Sequence, residues 1–383
     1  MPSPRRGGSP RGSPRGRRGG SGSPRRRGRR SAEEDSEEDL ILRAKWEPPD
    51  KITLKALCRG RHFHFKDFVL GPAVGKGSFA VARQVTMRHT EDVDPPPLLL
   101  KMMPKAKLLE TNQVEHVKAE RRIMSELDSA FIVTLLTTFQ DERRIFFVLE
   151  YAHGGDLYGR LHASGRLQTD HAKFYAAELL VALTSLLELA LAYRDMKPEN
   201  VVIDWKGHIK LCDFGFAKVL GQGEKAYTIL GTPEYMAPEI ILSKGHDHMV
   251  DYWSFGVIIF EMLVGYPPFY DKSPFEIYHK VLHDDPVFPR HFDVKAADLD
   301  AKLLEREPER RIFFKDCMQH PWFDFVDWHM CKAQELKAPW YPRLDGATDT
   351  RYFDVLTDKE ADDAFDAQLP ITFALNKQFV GSF

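Results

Sequence analysis

At 383 residues, 43% of them apolar, the chain can fill a large core and suits two lobes plus appendages, and no apolar run approaches the roughly 20 residues of a membrane span. Four scattered cysteines, Cys58, Cys212, Cys317 and Cys331, exclude a disulfide scaffold or thiolate metal site, and the N-terminus shows neither a secretory apolar core nor a glycine at position 2, so a cytoplasmic or nuclear protein is expected. The net charge of −2 hides a division: residues 1–31 hold 11 arginines and no acid, leaving 43 of the 54 basic residues against all 56 acids in a body that favours basic partners.

Residues 1–35, rich in Arg, Gly, Ser and Pro, have too little apolar surface to offset the entropy of ordering and are expected to be a disordered tail. The run Arg25-Arg26-Arg27-Gly28-Arg29-Arg30 suits an acidic or nucleic-acid partner, and equally a solvated tail without one. An acidic run from Glu33 to Asp39 leads into an amphipathic helix expected over 36–46, anchored by Leu40, Ile41 and Trp46 and stopped by Pro48-Pro49; with a linker this segment covers 36–67. Strand signals begin at Phe63-His64-Phe65 and run through Phe68-Val69-Leu70 towards Val74-Gly75-Lys76-Gly77-Ser78-Phe79-Ala80-Val81-Ala82. Glycines between two strands let backbone amides approach phosphates with no Cβ in the way. A lone Gly-x-Gly is also an ordinary hairpin turn, and its weight here comes from Lys101, which follows on the apolar run Leu98-Leu99-Leu100 beyond a loop at Pro95-Pro96-Pro97.

A helix is expected over 112–127, carrying Glu120, then strands from Phe131 to Phe139 and Ile145 to Tyr151, and a hinge at Gly154-Gly155. From Asp156 to Leu189 the pattern is helical and strongly apolar, the core of a second, mainly helical lobe. The string Tyr193-Arg194-Asp195-Met196-Lys197-Pro198-Glu199-Asn200 then puts an acid, an amine and an amide on one loop, and Asp213-Phe214-Gly215 adds a second acid on a separate turn. Phosphoryl transfer from a nucleotide needs these groups: a carboxylate to receive the hydroxyl proton, and side-chain oxygens to hold the magnesium that neutralises the phosphates. A Gly-rich segment runs to Thr228, the stretch from Gly231 to Glu239 closes the region, and a buried helix is expected around Trp253 to Leu263. Beyond Trp328 periodicity fades, which suits a tail draped over a domain.

In order and spacing, these motifs resemble those of a eukaryotic protein kinase, with Tyr193 where most kinases have His. Over about 40–383 the chain is similar to the AGC group of Ser/Thr kinases, and within it to the catalytic subunit of cyclic-AMP-dependent protein kinase; the pointers are Lys45-Trp46-Glu47-Pro48, Tyr193-Arg194-Asp195, Asp213-Phe214-Gly215-Phe216-Ala217-Lys218, Gly231-Thr232-Pro233-Glu234-Tyr235 and Gly265-Tyr266-Pro267-Pro268-Phe269. The resemblance implies a bilobal α+β fold over 68–323: an antiparallel-sheet lobe with one main helix (68–152), a larger helical lobe (153–323), and a C-terminal tail (324–383). It implies ATP between the lobes, against Val74, Gly75, Lys76, Gly77, Ser78, Phe79, Ala80, Val81, Ala82, Leu99, Lys101, Leu149, Glu150, Ala152 and Asp156. It makes Asp195 the catalytic base, Lys197 the partner of the γ-phosphate, Lys101 and Glu120 an ion pair, and Asn200 and Asp213 the holders of Mg2+. Phe214 stacks with Met124, Leu135 and Tyr193, Glu239 pairs with Arg311, and Asp251 braces the catalytic loop. Thr228 matches an activation-loop phosphosite, with His116, Arg194 and Lys218 as its cationic pocket. Asp156, Glu199, Glu234 and Glu261 match acids that face substrate arginines, and Ile229, Pro233 and Met236 match an apolar pocket for the residue after the target. Protein substrates with Arg-Arg-x-Ser/Thr motifs follow, as does a separate cyclic-nucleotide-binding regulatory subunit.

The chain departs from the pattern at the third loop glycine, which is Ala80, and in the roof of the nucleotide pocket, where Leu99 replaces a small residue and Ala82 replaces Val. A compensated swap keeps room for adenine; an obstructed pocket makes a pseudokinase or scaffold. A third reading places the main role in the Arg-rich tail. Cys212 beside Asp213 is a possible target of cysteine-directed inhibitors, or a buried and inert thiol. The terminal aromatics Phe379 and Phe383 are expected to dock on the small lobe, Phe353 to reach the nucleotide pocket, and Thr372 is the nearest match to a tail phosphosite.

Overall fold

A computed structural model describes residues 49–88, 96–362 and 376–383; the expected tail (1–35), the helix over 36–46 and Thr372 lie outside them. The described chain opens with α1 (Lys51–Cys58) in a segment read from sequence as linker. Its start signal is Asp50, whose side chain accepts from the Thr53 amide at 2.8 Å, so a helix begins directly after Pro49. The strand expected at Phe63 begins later. Asp67 accepts from the His64 amide at 2.7 Å and tightens Phe65–Asp67 into a 3-10 turn before β1 (Phe68–Lys76).

The small lobe is a five-stranded antiparallel sheet in the order β1, β2 (Val81–Met87), β3 (Leu98–Pro104), β5 (Arg144–Glu150), β4 (Leu135–Gln140). Short α2 (Lys105–Glu110) leads to the main helix α3 (Val114–Glu126). Strand alternation sorts the side chains. Val81, Val85, Leu98, Leu100, Met102, Phe146 and Val148 close a core with Phe68 and Phe139 on one face, and Ala82, Leu99 and Lys101 are left for the other. The register pairs Ala82 with Lys101, and Leu99 with both Gln84 and Leu149. Val81, expected against the nucleotide, is therefore misassigned: it is fully buried in the core on the opposite face.

In the large lobe the single helical run expected from Asp156 to Leu189 is two helices, α4 (Leu157–Ser164) and α5 (Thr169–Glu188). Gly165, at φ 74°, ends the first and turns the chain. The catalytic stretch follows β6 (Leu191–Ala192) and precedes the hairpin of β7 (Val201–Ile203) and β8 (Ile209–Leu211), which leads through the metal loop to β9 (Lys218–Val219). After α6 (Pro238–Ile241), α7 (Met249–Val264) is buried from Val250 to Leu263 and forms the axis of the lobe. Of the helices that follow, α9 (Val294–Leu303) packs along it, α8 (Pro274–His283) packs on α6, and α10 (Phe314–Met318) and α11 (Trp328–Lys332) pack on α5. At Gly256 a Cβ would sit 2.9 Å from the Leu303 Cβ, so α9 approaches α7 as closely as it does because that position is glycine.

The C-terminal segment returns over both lobes. The Arg160 guanidinium lies 4.9 Å from the Trp340 ring, and Phe353 stacks on Tyr151 at the hinge with centroids 5.5 Å apart. Leu356 bridges to Ala73, and α12 (Asp358–Asp362) carries Asp358, 2.9 Å from Arg83. Phe379 is fully buried against the small lobe, its carbonyl accepting from the Gln140 side chain at 3.0 Å, and the Phe383 ring lies 6.2 Å from that of Phe147. No helix among the described residues is long and apolar enough to cross a membrane.

Candidate active site

The sheet brings Lys101 to the cleft from β3 and α3 brings Glu120 to meet it: Nζ lies 2.6 Å from Glu120 Oε1 and 3.1 Å from Asp213 Oδ1. Burial opposes the ammonium charge, but the two carboxylates outweigh it and hold the lysine above its ordinary range; Lys101 in turn pulls Asp213 down. Asp213 sits at φ 57°, a left-handed turn that aims its carboxylate back into the cleft. These residues, with Gly77, Ser78 and Asp195, line a cavity of about 220 Å³.

The catalytic loop is held from beneath. Asp251, at the start of α7, accepts from the Tyr193 amide at 2.8 Å and the Arg194 amide at 2.7 Å. Burial pushes its carboxyl up to about 6 even against those two donors. Arg194 is thereby fixed at φ 68°, and its Nε donates to the Phe216 carbonyl at 2.9 Å. Asn200 donates through Nδ2 to the Asp195 main chain and to Asp195 Oδ2, both at 2.8 Å. Lys197 reaches Asp195 Oδ2 and Thr232 Oγ1, each at 3.1 Å. Tyr193 donates to the Cys212 carbonyl, and its ring meets Phe214 edge-on at 5.1 Å, within the core cluster that also holds Met124 and is flanked by Leu135.

The other expected nucleotide contacts fall into groups. Leu99 and Leu149 are cross-strand neighbours, and Phe79, Ala80 and Leu99 pack half-buried against the core. Lys76 turns outward to the Glu360 carbonyl at 2.9 Å. The Glu150 carboxylate accepts from the Thr134 amide at 2.7 Å and lies 3.2 Å from Lys210, so what Glu150 offers the hinge is its main chain. Ala152 lies on that hinge, buried. Gly155, at φ 71°, has no room for a Cβ because the Tyr352 carbonyl lies against it. Burial, with Glu199 and Asp354 nearby, pushes the Asp156 carboxyl up. Asp354 was not foreseen: it lies far along the tail, where no local pattern marks it. Thr232, the hydroxyl partner of Lys197, stands in the Gly231–Tyr235 motif with no local signal of that role.

Thr228 is exposed and lines a cleft of about 770 Å³ with His116, Arg194, Lys218 and Ile229. Glu261 is buried and accepts from the Tyr235 hydroxyl at 2.6 Å; burial, with Glu199 and Glu234 nearby, pushes it up to about 7. Pro233 and Glu234 form the short 3-10 turn beside it. Met236 is buried next to Leu230, whereas Ile229 stands 60% exposed in the neighbouring cleft, so of the three residues expected to form one apolar pocket, Ile229, Pro233 and Met236, the first and the last do not line the same cavity. Burial pushes the Cys212 thiol up, far from a reactive thiolate.

The sequence profile of the protein kinase domain matches residues 68–323. The serine/threonine-protein kinase gad8 of Schizosaccharomyces pombe is 42% identical over 291 residues, which cover 75% of this chain and 50% of that protein. The serine/threonine-protein kinase YPK1 of Saccharomyces cerevisiae is 38% identical over 329 residues, covering 84% and 48%. The human cAMP-dependent protein kinase catalytic subunit PRKX is 38% identical over 310 residues, covering 79% and 84%. The chain thus spans about half the length of the first two relatives and most of the third. It belongs to the protein kinase family, and its relatives place it in the AGC group of Ser/Thr kinases.

Kinases of this family use ATP and Mg2+, and the residues present fit both. Asn200 spends its amide hydrogens on Asp195, which leaves its carbonyl oxygen as an acceptor, and Asp213 adds carboxylate oxygens. Among the described residues no group of three or more His, Cys, Asp or Glu forms a metal site. Magnesium suits such sparse oxygen sites, since it is commonly held by one or two carboxylates together with nucleotide phosphates.

Proposed function

We propose that the chain transfers the γ-phosphoryl group of ATP to Ser or Thr hydroxyls in protein substrates, with a preference for arginines before the target. The observation that carries this reading is the placement of Lys101, pinned between Glu120 and Asp213 in the same cavity that Asp195 lines. Bound Mg2+ neutralises phosphate charge; Asn200 and Asp213 supply its protein oxygens. Lys101 fixes the inner phosphates, Lys197 faces the transferred group, and Asp195, oriented by Asn200, receives the hydroxyl proton. Asp156, Glu199 and Glu234, now joined by Asp354 and with Glu261 buried close to Glu199 and Glu234, form an acidic cluster for substrate guanidinium groups. Phosphate on Thr228 would join His116, Arg194 and Lys218 across the two lobes.

The test is phosphate transfer from ATP to an Arg-Arg-x-Ser peptide, with Asp195→Ala alongside. Transfer by the parent and not by the variant is expected. No transfer by the parent, with Thr228 phosphorylated, would leave a pseudokinase.

Regulation by a separate cyclic-nucleotide-binding subunit is a finer proposal. It is supported by relatives named as cAMP-dependent catalytic subunits, while others of similar identity carry no such name. Inhibition by a regulatory subunit, relieved by cyclic AMP, is the expected result; indifference to that subunit would remove the subtype and leave the kinase.

A further inference from the structure

His246 lies outside every motif used above, yet it touches two of the parts that a kinase must align. It is 2% exposed, in the segment between α6 and α7. Its main chain makes a reciprocal pair with Ala226, each amide donating to the other's carbonyl at 2.8 Å, so it clamps the activation segment two residues before Thr228. Next to this clamp the Tyr227 ring closes over Gly245, where a Cβ would lie 2.7 Å from it. The His246 side chain points the other way: Nε2 lies 3.4 Å from Arg194 Nη1.

We infer that His246 is a positioning residue for phosphoryl transfer, which holds the Arg194 guanidinium through an imidazole acceptor while its main chain anchors the activation segment. The proposal rests on the kinase reading above. Arg194 has four restraints in this arrangement. Asp251 fixes its amide, the left-handed φ sets the exit of its side chain, the Phe216 carbonyl takes Nε, and His246 faces Nη1. The first two act on the main chain at the root of the side chain; the Phe216 carbonyl and His246 both act on the guanidinium, at Nε and Nη1, so that His246 supplies the second contact that fixes the orientation of this group, which lines the Thr228 cleft. Arg194 directly precedes Asp195, so a shift of its side chain reaches the base through one peptide bond, and small displacements of reacting groups are costly to rate.

The chemistry requires a neutral ring. A guanidinium has hydrogens to donate and no acceptor, so Nε2 faces it productively only as a lone pair, with the ring proton on Nδ1. Burial, with the Arg194 charge adding to it, holds the imidazole low, at about 4, which keeps that lone pair available at neutral pH. Glutamine offers an oxygen at a similar reach; leucine and methionine fill the space without an acceptor.

The experiment compares the full chain with His246→Leu, His246→Met and His246→Gln in peptide phosphorylation, with thermal melting as a control for folding. The apolar variants are expected to lose about tenfold in kcat with the KM for ATP within about twofold, and Gln to restore most of the rate. A second arm repeats His246→Leu in an Arg194→Ala background, where it should cost almost nothing if His246 acts through Arg194. An unchanged kcat in the apolar variants, an equal loss in Leu and Gln, or the same loss with and without Arg194 each overturns the inference. If one apolar variant does not fold, the other and the Gln comparison decide. An inactive parent would instead be a failure of the kinase reading.

Discussion

Arg311 grips Glu239 with both arms of its guanidinium, Nη1 to Oε1 at 2.8 Å and Nη2 to Oε2 at 3.1 Å, in the interior of the large lobe. Nη1 also donates to the Met249 carbonyl at 2.7 Å, so one side chain ties α6, which follows the activation segment, to the start of α7. Removing one partner strands the other charge in a dry core. Arg311→Ala is expected to cost about 3–5 kcal/mol in denaturant unfolding. A loss below about 1 kcal/mol would show that water reaches Glu239.

Lys101 is the joint between the lobes, and its two carboxylate partners come from different ones. Lys101→Met is expected to reduce kcat/KM for peptide phosphorylation by on the order of 10²–10³. Retention of a tenth of the parent rate would show that the phosphates are held by other groups.

Leu99 and Ala82 lie on the cleft face of neighbouring strands, one larger and one smaller than the family pattern. If the two changes compensate, their effects on ATP are coupled. Ala82→Val alone should raise the KM for ATP by about tenfold, and the pair Ala82→Val with Leu99→Ala should return it to within about twofold of the parent. Additive effects in this cycle would mean that the residues do not share a pocket. A large gain in ATP affinity from Leu99→Ala alone would instead show the pocket obstructed.

Glu261 is held up to about 7 by burial, above the ordinary carboxylate range. The raised value means that the neutral form is favoured by folding: this stability is complete at acid pH and is lost as pH rises through about 7. The ionised form that pairs with arginine appears over the same window. Arginine discrimination at the site facing Glu261, measured as kcat/KM for an Arg against an Ala peptide, should rise by up to about tenfold from pH 6 to pH 8, and Glu261→Gln should flatten the profile. A flat parent profile would place Glu261 in a structural role with Tyr235.

Asp300 on α9 is fully buried, and neither of its carboxylate oxygens has a hydrogen-bond partner. Burial pushes its carboxyl well above the ordinary value, so the neutral acid is the folded form and stability is lost as pH rises. Asp300→Leu should stabilise the chain by about 1–3 kcal/mol at neutral pH and remove that slope, as read by thermal melting at two pH values. Destabilisation by Leu would point to a buried water or proton partner that the carboxyl serves.

Much of the site was legible because its chemistry is local. Asp195, Lys197 and Asn200 lie within six residues, Asp213 follows on the next hairpin, and a short loop can present these groups in few ways. The fold class followed from the family resemblance that those motifs carry, and the apolar runs agreed with it by switching from strand to helix period. The misses are also physical. Val81 was expected against the nucleotide with its neighbours because alternation assigns faces only once strand limits are known. The break at Gly165 hid inside a continuous apolar pattern because two buried helices and one give the same composition. Asp67 and Asp50 acted through single side-chain caps, which outweigh a hydrophobic pattern over three or four residues.

By itself, the order of residues determined which chemical groups the chain carries, that they suit phosphoryl transfer, and that the body folds as a small sheet lobe and a helical lobe. Tertiary structure alone decided which distant groups meet. It set Lys101 against both Glu120 and Asp213, turned Glu150 away from the hinge to Lys210, brought Asp354 of the tail to Asp156, and placed His246 beneath Arg194. The physical reason is that local sequence specifies dihedrals and caps over one or two turns. Contacts between residues tens or hundreds apart depend instead on how whole elements pack, and no short stretch of the chain records that.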